Sequence, residues 1–386
     1  MKGIIKFYQM VVRYIVKEKI IQLFSVVSYY LFCLSIIIGM DDKLTLLACI
    51  FIIPYAIIDL KYDPGNKVFF FLLFFLVIGS LLNLLFSKNG FGGTFVVVGV
   101  LFLAKYIIKS PKRMRFHILF FLLFYMLWIS YKIFVLKLDP NEFYENMSRN
   151  YVGLILVMFT TLYSFISYAI NYKTTLVIPI LSTVLSFFLF GRSSIISMVL
   201  LLIVNFFYYL KMHKKKYISF FLILSVIILI AYSISDLSYL YSISPFQSYG
   251  WDTPRYNMWK DFFDKSTLLT FVVGIDTFSI PSVALQNGNV HNDFINLLAR
   301  TGIGFVAFIS VFILNIIISI KKKQFYLTLL LLILSIRMFY DTGIFISNLG
   351  FCFYAILLYP FFKNNINTKF YDSTSFNVNN AQKEIN

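Results

Sequence analysis

Charged side chains are scarce in this chain. Asp, Glu, Lys and Arg make up 13% of its 386 residues, and there are only three histidines and three cysteines. Each shortage removes a class of protein. Cys33, Cys49 and Cys352 all fall within apolar runs with no C-x-x-C spacing, so they read as small core residues and not as a disulfide or zinc framework. There is no H-E-x-x-H, no phosphate-binding G-x-x-x-x-G-K-[ST] and no G-x-G-x-x-G, which sets aside a zinc enzyme and an ATPase. No repeat of solenoid length is present, and the two halves show no similarity. The basic, polar stretch Met1–Lys19 followed by a long apolar run does not have the proportions of a cleaved signal peptide.

What the chain has in excess is apolar surface. Hydrophobic residues reach 60% and mean hydropathy is +0.82, more than the core of a soluble domain this size can hide. Lipid cannot satisfy exposed backbone amides, so a spanning segment is a helix of about 20 apolar residues. Twelve segments qualify, at 20–40, 44–60, 68–86, 91–108, 116–136, 151–171, 174–190, 193–210, 217–234, 301–320, 325–338 and 343–361. Those at 44–60, 174–190 and 325–338 are short. The expectation is an all-α membrane protein of about 12 transmembrane helices, a single polytopic domain over 1–386. One long outward-facing loop at 235–300 would hold short helices, and a polar, Asn-rich tail would cover 362–386.

Orientation follows from the basic residues. With both termini in the cytoplasm, most of the 34 Lys and Arg fall in inner connections, most clearly in Lys105–Arg115 and Lys211–Lys216, while most acidic residues fall outside. The chain then lies multi-pass in a plasma membrane with the 235–300 loop outside. The net charge of +17 follows from this bias. It implies no nucleic-acid partner, because the basic residues sit in short juxtamembrane clusters and not along one soluble face.

The outer loop is where polar chemistry collects. Thr253 and Pro254 form a helix start, and Tyr256, Trp259 and Phe263 then make one stripe at spacings of three and four, suited to a helix lying on the membrane surface. Gln286-Asn287-Gly288-Asn289 is a turn. After it, His291 opens a helix with Phe294, Leu297 and Leu298 facing inward, feeding straight into the span from Thr301. His291 is the one outward-facing histidine: His117 lies inside the fifth span and His213 in a lysine cluster. A neutral imidazole takes a proton from an alcohol near pH 7, and arginines grip phosphate oxygens bidentately. The outward arginines are Arg149, Arg192, Arg255, Arg300 and Arg337.

In its order of features the chain resembles the O-antigen polymerase and O-antigen ligase superfamily. The order is Gly191-Arg192-Ser193 at a helix end, Arg255 ahead of Met258-Trp259, Gly274, then His291-Asn292 and Gly302. His291, Asn292 and Gly302 match the ligase-type pattern H-[NSQ]-x9-G-x-x-[GTY], and Phe305 departs from it at the last position. The resemblance implies a bacterial inner-membrane glycosyltransferase that uses an undecaprenyl-diphosphate-linked glycan as donor and acceptor and needs no cofactor or metal. Asp261 and Asp264 form no Asp-x-Asp pair, which also fits a metal-dependent transferase poorly. It implies His291 as base and Arg192 and Arg255 as catalytic cations on the diphosphate. Asn292, Arg337, Trp259 and Arg300 would bind substrate, and Asp341 is an alternative, structural partner for Arg337. A chain-length regulator is a further partner of such systems. A polymerase is preferred because of Phe305. A ligase acting on lipid A core, or a transporter of lipid-linked sugars, are the alternatives.

Overall fold

The computed structural model describes residues 2–62, 67–87, 92–144, 149–172, 175–189, 191–212, 254–342 and 344–362. The expected span at 217–234, the loop residues 235–253 and the tail beyond 362 lie outside these. The described residues are helical, with no strand. Eight helices precede the gap: α1 (Lys2–Ile38), α2 (Asp42–Tyr62), α3 (Lys67–Ser87), α4 (Gly92–Lys109), α5 (Pro111–Ser130), α6 (Arg149–Ala169), α7 (Val177–Phe188) and α8 (Arg192–Met212). Seven follow it: α9 (Pro254–Lys265), α10 (Thr270–Val273), α11 (Pro281–Ala284), α12 (Asp293–Thr301), α13 (Ile303–Lys321), α14 (Phe325–Phe339) and α15 (Gly350–Phe362).

Among the described residues, seven stretches are long and apolar enough to cross a membrane: Glu18–Ile38, Asp42–Leu60, Lys67–Phe86, Pro111–Val135, Asn150–Ala169, Arg192–Met212 and Ile303–Lys321. These are the helices of a membrane protein. The remaining expected spans fare differently. Helices α7, α14 and α15 are apolar but shorter, and α4 is sealed inside the bundle, with Val100 to Ala104 nearly inaccessible. The segment at 44–60, short in the sequence, is a full helix of 21 residues.

Burial explains how the short helices are tolerated. The 13 residues of α15 rise only about 20 Å, less than the roughly 30 Å hydrocarbon layer. Yet nearly every α15 side chain is buried, so its ends meet protein and not lipid. The irregular run 344–349 before it is likewise enclosed. Ile344 and Phe345 donate their N–H groups to Asp293 Oδ2, both at 2.9 Å, which is what non-helical backbone at such a depth requires. The carboxamide of Asn348 ties the same run to Ser35 Oγ at 2.7 Å and Thr45 Oγ1 at 2.6 Å.

Helices α4, α6 and α15 form the centre, and α1, α2, α3, α5, α8, α13 and α14 pack around them. Their directions alternate. The end of α3, the starts of α6, α8, α13 and α15, and the end of α14 all lie at one end of the bundle, which also carries His291. Lys105, Lys109 and Asp59 lie at the other end. The described part of the expected 235–300 loop is packed. Residues 254–300 cover the His291 end with a core of their own, built from Met258, Phe262, Ile280, Val283, Val290, Ile295, Leu298 and Ala299.

Candidate functional site

Helix α9 starts at Pro254, but its packed face differs from the expected stripe. Met258 and Phe262 are buried, with Arg255 and Trp259 partly so, while Tyr256 and Phe263 stay exposed. The buried positions fall at i, i+3, i+4 and i+7 from Arg255, one face of a helix. That face rests on the end of α14 and on the turn before α12. Trp259 stacks edge-on against Phe339, centroids 5.2 Å apart, and its Nε1 donates to the Val290 carbonyl at 2.8 Å. The indole is therefore engaged by protein on its ring and its N–H. Arg255 Nη1 donates to the Tyr340 carbonyl at 2.7 Å, just past the end of α14.

His291 is held in an unusual backbone state. Its φ is +48°, the left-handed region that non-glycine residues visit at a cost and chiefly where the surroundings fix them. Asn289 supplies the fixing: its Oδ1 accepts from the His291 N–H and from Thr342 Oγ1, both at 2.8 Å. One side chain thus clamps the histidine turn to the segment after α14. The His291 Nδ1 is buried and has no hydrogen-bond partner. Burial pulls the imidazole below its ordinary 6.5, the positive charge of Arg255 pulls it the same way, and Asp341 opposes them. The ring is therefore neutral at pH 7 and lies in the field of one guanidinium and one carboxylate.

Arg337 completes the cluster from beneath. Its side chain is 0% exposed and pairs with Asp341, Nη1 to Oδ2 at 3.1 Å, while Nη2 donates to the Asn150 carbonyl at 2.8 Å. This is the structural pairing that the sequence offered as an alternative to substrate contact. A guanidinium with no exposed surface presents nothing to a ligand, and it binds the end of α14 to the start of α6. Gly191 stands directly against Asn150, which brings the start of α8, and with it the exposed Arg192, to the same corner.

Two of the expected binding residues are placed otherwise. Asn292 is 2% exposed, and its Oδ1 caps α12 by accepting from Phe294 and Ile295 N–H at 3.0 and 3.1 Å. That is the ordinary work of an N-cap asparagine. Arg300 is exposed but lies at the far end of the nine-residue α12, roughly 12 Å along the axis from His291. Nor does α12 feed straight into the next span. The chain breaks at Gly302, φ +46°, before α13 begins at Ile303.

That break belongs to a packing node that no single motif announces. Asn83, buried in the last turns of α3, donates through Nδ2 to the carbonyls of Val273 and Ala299, both at 2.8 Å, and the Ile275 N–H donates to the Ala299 carbonyl at 2.9 Å. A Cβ on Gly302 would run into the Val272 carbonyl, and one on Gly274, φ +80°, into Ala299 O and Asn83. These two glycines bring backbone against backbone. A lone asparagine in a strongly apolar span was the available signal for Asn83.

The site therefore unites Arg255, His291, Asp341 and Arg337, with Asn289 and Thr342 as its brace and Arg192 at its edge. It contains one neutral base and cations suited to an anionic group. No family model, no curated protein and no solved structure matches this chain.

Proposed function

We propose that this protein is a surface-polysaccharide polymerase that joins undecaprenyl-diphosphate-linked repeat units on the outer face of a bacterial inner membrane. The observation that carries the reading is the placement of a neutral, partly buried His291 beside Arg255 at the end of an apolar helix bundle. In the reaction, His291 accepts the proton of an acceptor hydroxyl as its oxygen attacks the anomeric carbon of the donor. The bond from that carbon to the diphosphate breaks with inversion, and undecaprenyl diphosphate leaves carrying the electron pair. Arg255 and Arg192 offset the charge that grows on the leaving group, and the lipid tail enters sideways between apolar helices. Arg337 and Asp341 position this corner and set the field on His291. No metal enters the proposed step.

A transporter would place ionisable groups at mid-depth in its helices. The ionic cluster Asp59–Lys105–Lys109 instead lies about one helical turn from the ends of α2 and α4. The test is complementation of a polymerase-deficient host of matching glycan type, with wild type and His291→Ala at equal membrane levels. Wild type restores a polysaccharide ladder, and the variant leaves single repeats. Wild type that leaves repeats unextended ends the polymerase reading, and transfer to lipid A core becomes the next assay.

A further inference from the structure

Between α9 and the turn before α12, the chain carries apolar side chains that no other described residue covers. Leu268 is 89% exposed and Leu269 62%, and Phe271 and Val272 are exposed as well, whereas Thr270 and Val273 of the same turn are buried. Four apolar side chains facing outward in six residues is a costly arrangement in water, at about 25 cal/mol per Å² of apolar surface, and contiguous patches of this kind mark contact surfaces.

The position of this turn identifies its occupant. Helix α10 packs on α3 and α13, and the Val273 carbonyl accepts from Asn83 at 2.8 Å. The turn is thereby fixed at the level of the last helical turn of the apolar span Lys67–Phe86. At that level α3 exposes Leu84, Leu85 and Phe86, the last two 74% and 68% exposed. The leucines of the turn extend the belt of a membrane-spanning helix, at the depth where that belt ends. Just before them, Ser266 and Lys265 turn back to the protein, Oγ donating to Phe262 O at 2.8 Å and Nζ to Ser279 O. The polar groups close on the protein and the apolar ones face away from it.

We infer that residues 268–272 form an interfacial anchor seated in the acyl-chain boundary of the bilayer leaflet at the His291 end. The occupant of the exposed face is lipid, because the face continues the lipid-facing surface of α3. The anchor adjoins the Gly274–Gly302 node, so the bilayer surface also supports the end of α12, while the 344–349 run holds its start through Asp293. This inference stands on packing and exposure alone and does not depend on the chemistry assigned to His291.

Spin labels at Leu268→Cys and Leu269→Cys, in the full chain in lipid nanodiscs, test it. The three native cysteines are buried, and unsubstituted protein taken through the same labelling gives their background. Asp261→Cys, on the exposed polar side of α9, is the aqueous reference. The expected result is that collisions with oxygen exceed those with a water-soluble nickel chelate at 268 and 269, and that the ratio reverses at 261. If the chelate reaches 268 and 269 as freely as 261, the turn stands in water, and the anchor is wrong. Immobile labels that neither reagent reaches would mean that protein covers the face, which overturns it equally.

Discussion

Two ionic clusters close the two ends of this bundle with the same inventory, one aspartate and two strong cations, and they are built for opposite purposes. At one end Asp59 holds Lys105 through Oδ2 and Lys109 through Oδ1, the latter at 2.8 Å. Lys105 is fully buried, and its ammonium lies over the rings of Phe69, Phe70 and Phe362 at 4.7 to 5.4 Å. Its members sit on two long helices. At the other end Asp341 meets Arg337 while Arg255 stands nearby, but these residues come from helix ends and turns. There Asp341 keeps 16% of its side chain exposed, and His291 adds a nitrogen with no partner. Both carboxylates neutralise a buried cation. Lys109 and Asp341 are about equally exposed, at 15% and 16% of the side chain, so the clusters differ in their setting: long helices at one end, and helix ends and turns beside a partnerless imidazole nitrogen at the other.

The sharpest way to break this comparison is to exchange the phenotypes. On the proposed function His291→Ala removes the base, and the expected outcome is that polymer formation falls on the order of 10²- to 10⁴-fold with little change in thermal unfolding of the detergent-solubilised protein. Asp59→Leu does the reverse. It strands Lys105 without its counter-ion and costs roughly 3–5 kcal/mol of stability, while protein that still folds stays active. Adding Lys105→Met to Asp59→Leu recovers most of that loss, since an ion pair replaced by apolar side chains of similar volume is often neutral. A double variant as unstable as the single one shows that Asp59 does more than offset the lysine.

Next in size is the glycine node. Gly302→Ala drives a methyl into the Val272 carbonyl at a positive φ, and a strain of several kcal/mol is of the class that unfolds marginal proteins. We expect the covering segment 254–300 to loosen first, read as faster hydrogen exchange at Ile275 and Phe294 than in the helices at the Asp59 end. Uniform loosening would mean that the node is part of one cooperative core.

How far the sequence foretold this can be judged from the same residues. Apolar runs located the helices because lipid demands them, and the rarity of histidine outside the spans singled out His291. Arg255 stood among the outward arginines and Asp341 was offered only as a partner for Arg337; that both bear on His291 is seen only in the fold. On α9 the stripe of Tyr256 and Phe263 is exposed as a surface helix requires, whereas Trp259 turns to protein and Met258 and Phe262, which no stripe announced, fill the core. The Asn83–Ala299 contact joins residues far apart in the chain, as does the Arg337–Asn150 bond, and such long-range hydrogen bonds leave no local periodicity to read. Of the twelve expected spans, seven are long and apolar enough to cross a membrane among the described residues; apolar composition alone does not separate a lipid-facing span from a helix such as α4, most of whose second half is buried in protein.

A subtler separation of the clusters comes from pH. The lowered value of His291 keeps its base form present below pH 6.5, so the acid limb of the activity profile lies under the ordinary imidazole value. Arg255 contributes to that lowering and Asp341 opposes it. Arg255→Gln therefore moves the acid limb upward, and Asp341→Asn moves it downward. The stability contribution has the matching sign. The unfolded chain takes up the proton first, so His291 favours folding above about pH 6.5 and loses that advantage as the pH falls. Limbs that shift in the same direction for both variants would show that the field on His291 does not come from this pair.

The smallest effect separates capping from binding at Asn292. Its Oδ1 accepts two backbone N–H groups of α12, so Asn292→Ala costs about 1 kcal/mol. Asn292→Asp keeps an acceptor in place and, by adding negative charge at a helix start, should hold the cap. If Asn292 serves only the helix, polymer formation tracks stability: reduced modestly by the alanine and near wild type with the aspartate. A direct contact between the amide and a sugar predicts that the aspartate fails as badly as the alanine, because the carboxylate has lost the N–H donors. The new carboxylate also stands beside His291 and would raise its pKa, so the comparison belongs on the plateau above both acid limbs, where the imidazole is neutral in either variant. On that plateau a stable but inactive Asn292→Asp variant would move the asparagine from the scaffold into the site.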